Sequence, residues 1–166
     1  MPQLTIEELK AMMPERPAEL DKLNAFAGNW EMEGEIRMAG LDEVLKTTGS
    51  GEAKWDGDGW YLVSRNSFTM GELGEIQGQE TWTYDTHSKK YRSTWVDSTG
   101  STGTGEARHD EKTNTWYFRG TSYGPYGKTS WQGHAQAIDE GTWEWTFTEY
   151  AGLMKTMEMT GTSRRR

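Results

Sequence analysis

The chain has 166 residues, a length that favours one domain with a sizeable core. Only 33% of residues are hydrophobic, but nine Trp, seven Tyr and four Phe exclude a disordered chain, because large aromatics build a core from few positions. Eighteen basic against 26 acidic residues give a net charge of -8, which argues against nucleic-acid and anionic-membrane partners; without cysteine there are no disulfides and no Cys-ligated zinc or iron–sulfur centres.

The N-terminal stretch Met1 to Met13 carries Glu7, Glu8 and Lys10 and lacks the uninterrupted apolar run of a signal peptide, so a cytoplasmic location is expected. Thr5-Ile6-Glu7-Glu8 reads as a capping box that opens a short helix. Leu4, Ile6, Leu9, Met12 and Met13 form a loose stripe, which Pro14 and Pro17 end. A second helical stretch places Leu20, Leu23 and Phe26 on one side and stops near Gly28. Residues 1–27 are thus expected to form a helical leader capping a barrel built from residues 28–166.

From Asn29 the period becomes two. Trp30, Met32, Gly34, Ile36 and Met38 share one face; Glu31, Glu33, Glu35 and Arg37 share the other. Further strands are expected at 46–55, 60–69, 76–85, 90–97, 100–109, 115–121, 128–138, 142–150 and 155–163. Asp56-Gly57-Asp58-Gly59 and the segment Tyr123 to Gly127 carry turn chemistry. About ten strands joined by short turns predict an all-β fold, a single up-and-down antiparallel barrel.

Gly28-Asn29-Trp30 resembles the Gly-x-Trp signature of lipocalins and other calycins. Together with Tyr84-Asp85, the run Lys89-Lys90-Tyr91-Arg92-Ser93-Thr94-Trp95-Val96-Asp97-Ser98 and Lys155-Thr156-Met157-Glu158-Met159, it is similar to a bacterial family of lipocalin-like domains of unknown function. The resemblance covers roughly Glu19 to Arg165. It implies that Gly28 and Trp30 are structural, closing one end of the barrel, with an Arg of the last strand across the indole. That Arg is Arg164 or Arg165, because the family's Thr-Arg-Lys ending stands here as Thr162-Ser163-Arg164-Arg165; Arg164 is taken as the structural residue.

Strand parity gives the expected lining. Met32 and Ile36 come from the first strand, and Leu62, Ser64 and Asn66 from the third. Glu80 and Trp82 come from the fourth; Ser93, Trp95 and Asp97 from the fifth. Phe118, Trp145 and Met157 complete it from later strands. Aromatic walls with a few polar groups suit a small, mostly apolar or aromatic ligand. The competing expectation is that the aromatics simply fill the barrel.

An enzyme on the same scaffold, a cyclase, isomerase or hydrolase of lipophilic substrates, would use Glu80, Asp97 and Glu149 as acids and bases. A third option is an interaction module whose homodimer buries Tyr61 or Tyr117. Monomer and homodimer are both compatible with the sequence. No cofactor and no metal site is expected. His87 and His109 lie at turns, and His134, the mid-strand histidine that haem would need, shares its face with Gln132 and Gln136 and reads as outward.

Overall fold

The computed structural model describes residues 4–125 and 127–166. Tyr126, in the expected turn after Tyr123, and residues 1–3 lie outside the described residues. Ten antiparallel strands follow in chain order: β1 (Gly28–Met38), β2 (Leu45–Asp56), β3 (Tyr61–Thr69), β4 (Glu75–Asp85), β5 (Lys90–Asp97), β6 (Thr102–Asp110), β7 (Thr115–Gly124), β8 (Gly127–Ala137), β9 (Thr142–Ala151) and β10 (Met154–Arg165). Each pairs with its sequence neighbour, and β10 pairs with β1, closing the barrel. The up-and-down order follows from the short hairpin turns, and closure removes the exposed sheet edges.

Two helical pieces precede the barrel. The first, α1 (Ile6–Ala11), begins with the expected capping box: the Glu8 amide donates to Thr5 Oγ1 at 3.2 Å and the Thr5 amide to Glu8 Oε2 at 2.7 Å. It buries none of its residues. The second is a 3₁₀ helix, Ala18–Ala25, and it does the packing. Leu20 and Leu23, with 0% and 1% of their surface exposed, join Trp30, Trp82, Tyr91, Trp116 and Trp143 in the core.

Hydrogen bonds tie this plug to the strand ends around it. Trp30 Nε1 donates to Phe26 O at 2.8 Å, Trp55 Nε1 to Asn24 Oδ1 at 2.7 Å, and the Tyr91 hydroxyl to Glu19 O at 2.9 Å. Burial pushes the Tyr91 phenol up to about 12, so it stays a donor across the physiological range.

The capping cation is Arg165. Its register partner on β1 is Trp30, its guanidinium lies 4.8 Å from the indole centroid, and Nη2 donates to Ala25 O at 3.0 Å. Arg164 is one residue off in register, so it points outward and pairs with Glu33 at 2.6 Å. Arg165→Ala is expected to cost about 1 kcal/mol in a urea titration, and Arg164→Ala no more than about 0.5 kcal/mol.

Around the barrel, cross-strand partners line up as oblique rungs. One inward rung runs Ala53, Ser64, Glu80, Trp95, Gly103, Ser122. The next runs Leu62, Trp82, Ser93, Gly105, Gly120, Trp131, Glu149, Met157. Strand tilt makes each rung climb from the plugged end to the opposite end.

Glycines on β6 and β7 let two indoles lie against the wall. An added Cβ at Gly103 would stand 2.3 Å from Trp95 Nε1, and one at Gly105 would stand 2.7 Å from Trp131 Cη2. At Gly120 it would meet Trp131 Cζ2 and Thr104 O, both at 2.3 Å. With full side chains there, both rings would be pushed toward the barrel axis. Gly120→Ala is therefore expected to destabilise by about 1–3 kcal/mol, read as a lower urea midpoint.

Candidate functional site

The barrel has two unlike ends. Below, the plug seals Trp82, Tyr91, Trp116 and Trp143 from solvent. At the other end stand the hairpin turns of β1–β2, β3–β4, β5–β6 and β9–β10, the second of which holds a short 3₁₀ turn, Gly71–Leu73. Several inward residues away from the plug keep part of their surface accessible: Met32, Asn66, Glu80, Trp95, Phe147 and Met157 are all half-buried. Glu80 lies in the middle of β4. Protein atoms surround it closely, yet a water-sized sphere still reaches it. Partial exposure of inward residues thus reaches the Glu80 layer, while the plug layer is buried.

Glu80 is the one inward carboxyl without an ordinary hydrogen-bond partner among the described residues. Burial disfavours its charged form and raises its pKa; the Trp82 indole and Ser93 hydroxyl, which lie toward it, offset part of that rise. Ser93 does not complete a hydrogen bond to it.

The other expected acids are engaged elsewhere. Asp97 faces inward by register, but its carboxylate turns back into the β5–β6 hairpin. It accepts from the Thr99 amide at 2.8 Å, the Thr99 hydroxyl at 2.5 Å and the Ser101 amide at 3.3 Å. Glu149 accepts from Thr129 at 2.9 Å and Thr156 at 3.0 Å. Neither carboxylate is free to join Glu80 as an acid–base pair.

The expected lining divides by depth. Ser64, Asn66, Glu80, Trp95, Met32 and Met157 border the upper space, and the Ser64 hydroxyl donates to Asn66 Oδ1 at 3.2 Å. Leu62 and Ile36, with 1% and 0% of their surface exposed, are packing residues with nothing to present to a ligand. Phe118 packs on Phe26, Trp82 and Trp116 and belongs to the plug layer. Trp145 lies over Gly161, and its Nε1 donates to Ser163 at 3.0 Å.

Two inward residues were not expected from the sequence, Trp131 and Ser122. Both are more than nine-tenths buried. Neither Trp131 Nε1, Ser122 Oγ nor the neighbouring Ser93 Oγ has a hydrogen-bond partner among the described residues. Each such orphan costs about 1–3 kcal/mol.

Signal for Trp131 was present: the alternation that puts Gln132, His134 and Gln136 outside puts Trp131, Gly133 and Ala135 inside. His134 is indeed exposed, beside Thr146 at 2.9 Å and Tyr117. Tyr117 in turn is covered by Arg108, 4.0 Å from the ring centroid.

The motif segments between Tyr84 and Ser98 are largely structural. Asp85 accepts from the amides of His87 and Ser88 and from the Ser88 hydroxyl, which with Arg92 lower its pKa to about 2. Lys90 and Arg92, joined by Arg119, surround Glu106 on the outer face. Concavities of about 840 and 600 Å³ are bordered mostly by outward-parity residues, such as Arg65, Gln77 and Gln79 in one and Arg92, Glu106 and Arg119 in the other; the first also touches Asn66 and Asp97, and the second Ser93, Gly105, Gly120 and Trp131. Among the described residues no three His, Asp or Glu side chains group as a metal site, and no helix is long and apolar enough to cross a membrane.

Comparison with known proteins places the fold. It is similar to the S-type phycobiliprotein lyase CPES from Guillardia theta, with a TM-score of 0.64, 9% identity, and 98% of each chain covered. It is also similar to Rv2717c from M. tuberculosis, with a TM-score of 0.68, 9% identity, and coverage of 92% of this chain and 99% of that one. At such identities the likeness is one of fold alone. No curated protein matches the chain in sequence. The family model described as a protein of unknown function (DUF1579) matches residues 16–165, nearly the whole barrel and its plug, so the chain belongs to that family.

Proposed function

We propose that this protein is a cytoplasmic, lipocalin-like barrel that binds one small, mostly apolar or aromatic molecule in the upper lumen. The observation that carries the reading is the gradient of accessibility along the inward faces. Inward side chains at the plug are buried, whereas Met32, Asn66, Glu80, Trp95 and Met157 keep part of their surface exposed, among buried neighbours such as Ile36, Ser122 and Trp131. Flat-lying indoles of Trp95 and Trp131 would offer aromatic walls, and Ser64, Asn66 and Ser93 the few polar contacts that orient a ligand. The likeness to a phycobiliprotein lyase lends no ligand to this chain.

Native mass spectrometry of protein recovered from its own source tests the reading. A single small molecule, retained in gentle conditions and released on denaturation, is the expected result. A lumen-blocking variant, Ser64→Trp, should emerge without it. Retention of the same molecule by that variant would contradict the assignment to the lumen.

One observation favours a second reading, an enzyme on a lipophilic substrate. Glu80 is an enclosed carboxyl whose raised pKa suits a general acid. With Asp97 and Glu149 engaged by their own hairpins, Glu80 would act alone. Glu80→Gln separates the two, because binding tolerates the change and acid catalysis does not.

A further inference from the structure

We infer that the lumen recognises its ligand through an uncharged hydrogen-bond acceptor, a carbonyl oxygen on an apolar body, seated against the glycine-rich wall of β6 and β7 by Ser93, Ser122 and Trp131. This rests on the binding reading above and names the chemistry of the bound molecule's polar end.

The three donors stand on adjacent rungs. Ser93 pairs with Gly105, Gly105 with Gly120 and Gly120 with Trp131; Ser122 is opposite Gly103 and two residues on from Gly120. Two of the residues meet at Gly105, where the position of a Cβ is 2.8 Å from Ser93 Oγ and 2.7 Å from Cη2 of the Trp131 ring, and Ser122 stands on the next rung. All three polar atoms are enclosed and unpartnered. A folded chain keeps enclosed donors unsatisfied rarely, and a ligand acceptor would satisfy them. A serine hydroxyl re-aims by turning about one torsion, and because all three atoms are enclosed, the indoles that cover the glycines must shift for an acceptor to reach them.

The absence of charge follows from the same two rungs. They carry Glu80 and Glu149 and no Lys or Arg. A carboxylate or phosphate would enter without a cation and beside carboxyl groups, at a large desolvation cost. A neutral carbonyl meets no such penalty.

Fluorene, 9-fluorenone and fluorene-9-carboxylate share one apolar frame and differ in the polar end. Their dissociation constants can be read from quenching of tryptophan fluorescence in wild type, Ser93→Ala, Ser122→Ala and the double variant, with Trp131→Phe as a further arm. The expected result is fluorenone about tenfold tighter than fluorene, as for two neutral hydrogen bonds, and the carboxylate weakest. The fluorenone-to-fluorene ratio should fall toward one in the double variant. Equal binding of fluorene and fluorenone by the wild type, a ratio unchanged in the double variant, or tightest binding of the carboxylate would overturn the inference while leaving the container intact. Failure of all three to bind would overturn the container reading with it.

Discussion

Trp116→Ala is expected to lower stability by about 3–5 kcal/mol, enough to reduce the melting temperature by about 10 °C or more. Trp116 has 1% of its surface exposed and is the hub of the plug. Phe26 meets it edge-on at 5.1 Å and Tyr91 at 4.8 Å, while His109 stacks on it at 4.7 Å. Its removal leaves a hole between the 3₁₀ helix and β7 that none of these rings can fill without leaving its own rotamer. The indole N–H has no partner, so the loss is one of packing. Differential scanning calorimetry checks it; a shift under about 2 °C would mean that the helical segment does not depend on this contact.

Glu80→Gln is expected to act in the opposite direction and to depend on pH. The native state raises the carboxyl's pKa, so between the unfolded value, about 4.3, and the raised native value the folded chain binds more protons than the unfolded one. Stability contributed by this group is therefore whole below about pH 4 and is lost as pH rises through that window. The amide carries no charge to desolvate. The variant should melt higher than wild type at pH 7 to 8, by about 2–4 °C per kcal/mol of relieved penalty, and the two should converge near pH 4. Parallel pH profiles would mean that Glu80 is solvated as an ordinary surface carboxylate.

Much of the barrel was legible because turn chemistry and parity are local. The second strand was expected at 46–55 and runs Leu45–Asp56; the Asp56 to Gly59 turn stands where its Gly and Asp residues demanded it. The seventh strand was expected to end at Thr121 but continues to Gly124, and that shortfall hid Ser122. Depth along the axis was not legible. Leu62 and Met157 lie on one rung, yet strand tilt buries the first under the plug and leaves the second half-open.

Side-chain commitment was only partly legible. Asp97 has inward parity, but a short acidic side chain beside its own turn amides bonds to them first. The choice between Arg164 and Arg165 was fixed by long-range register, β10 against β1, which no local pattern encodes.

A crystal structure determined under xenon pressure would reveal a lumen above the sealed plug. Xenon occupies enclosed apolar space without needing specific contacts. Xenon is expected inside the barrel, bounded by Met32, Trp95 and Met157, with none among Trp30, Trp116 and Trp143. A barrel axis packed solid from plug to rim, with xenon only in the outer grooves, would contradict it.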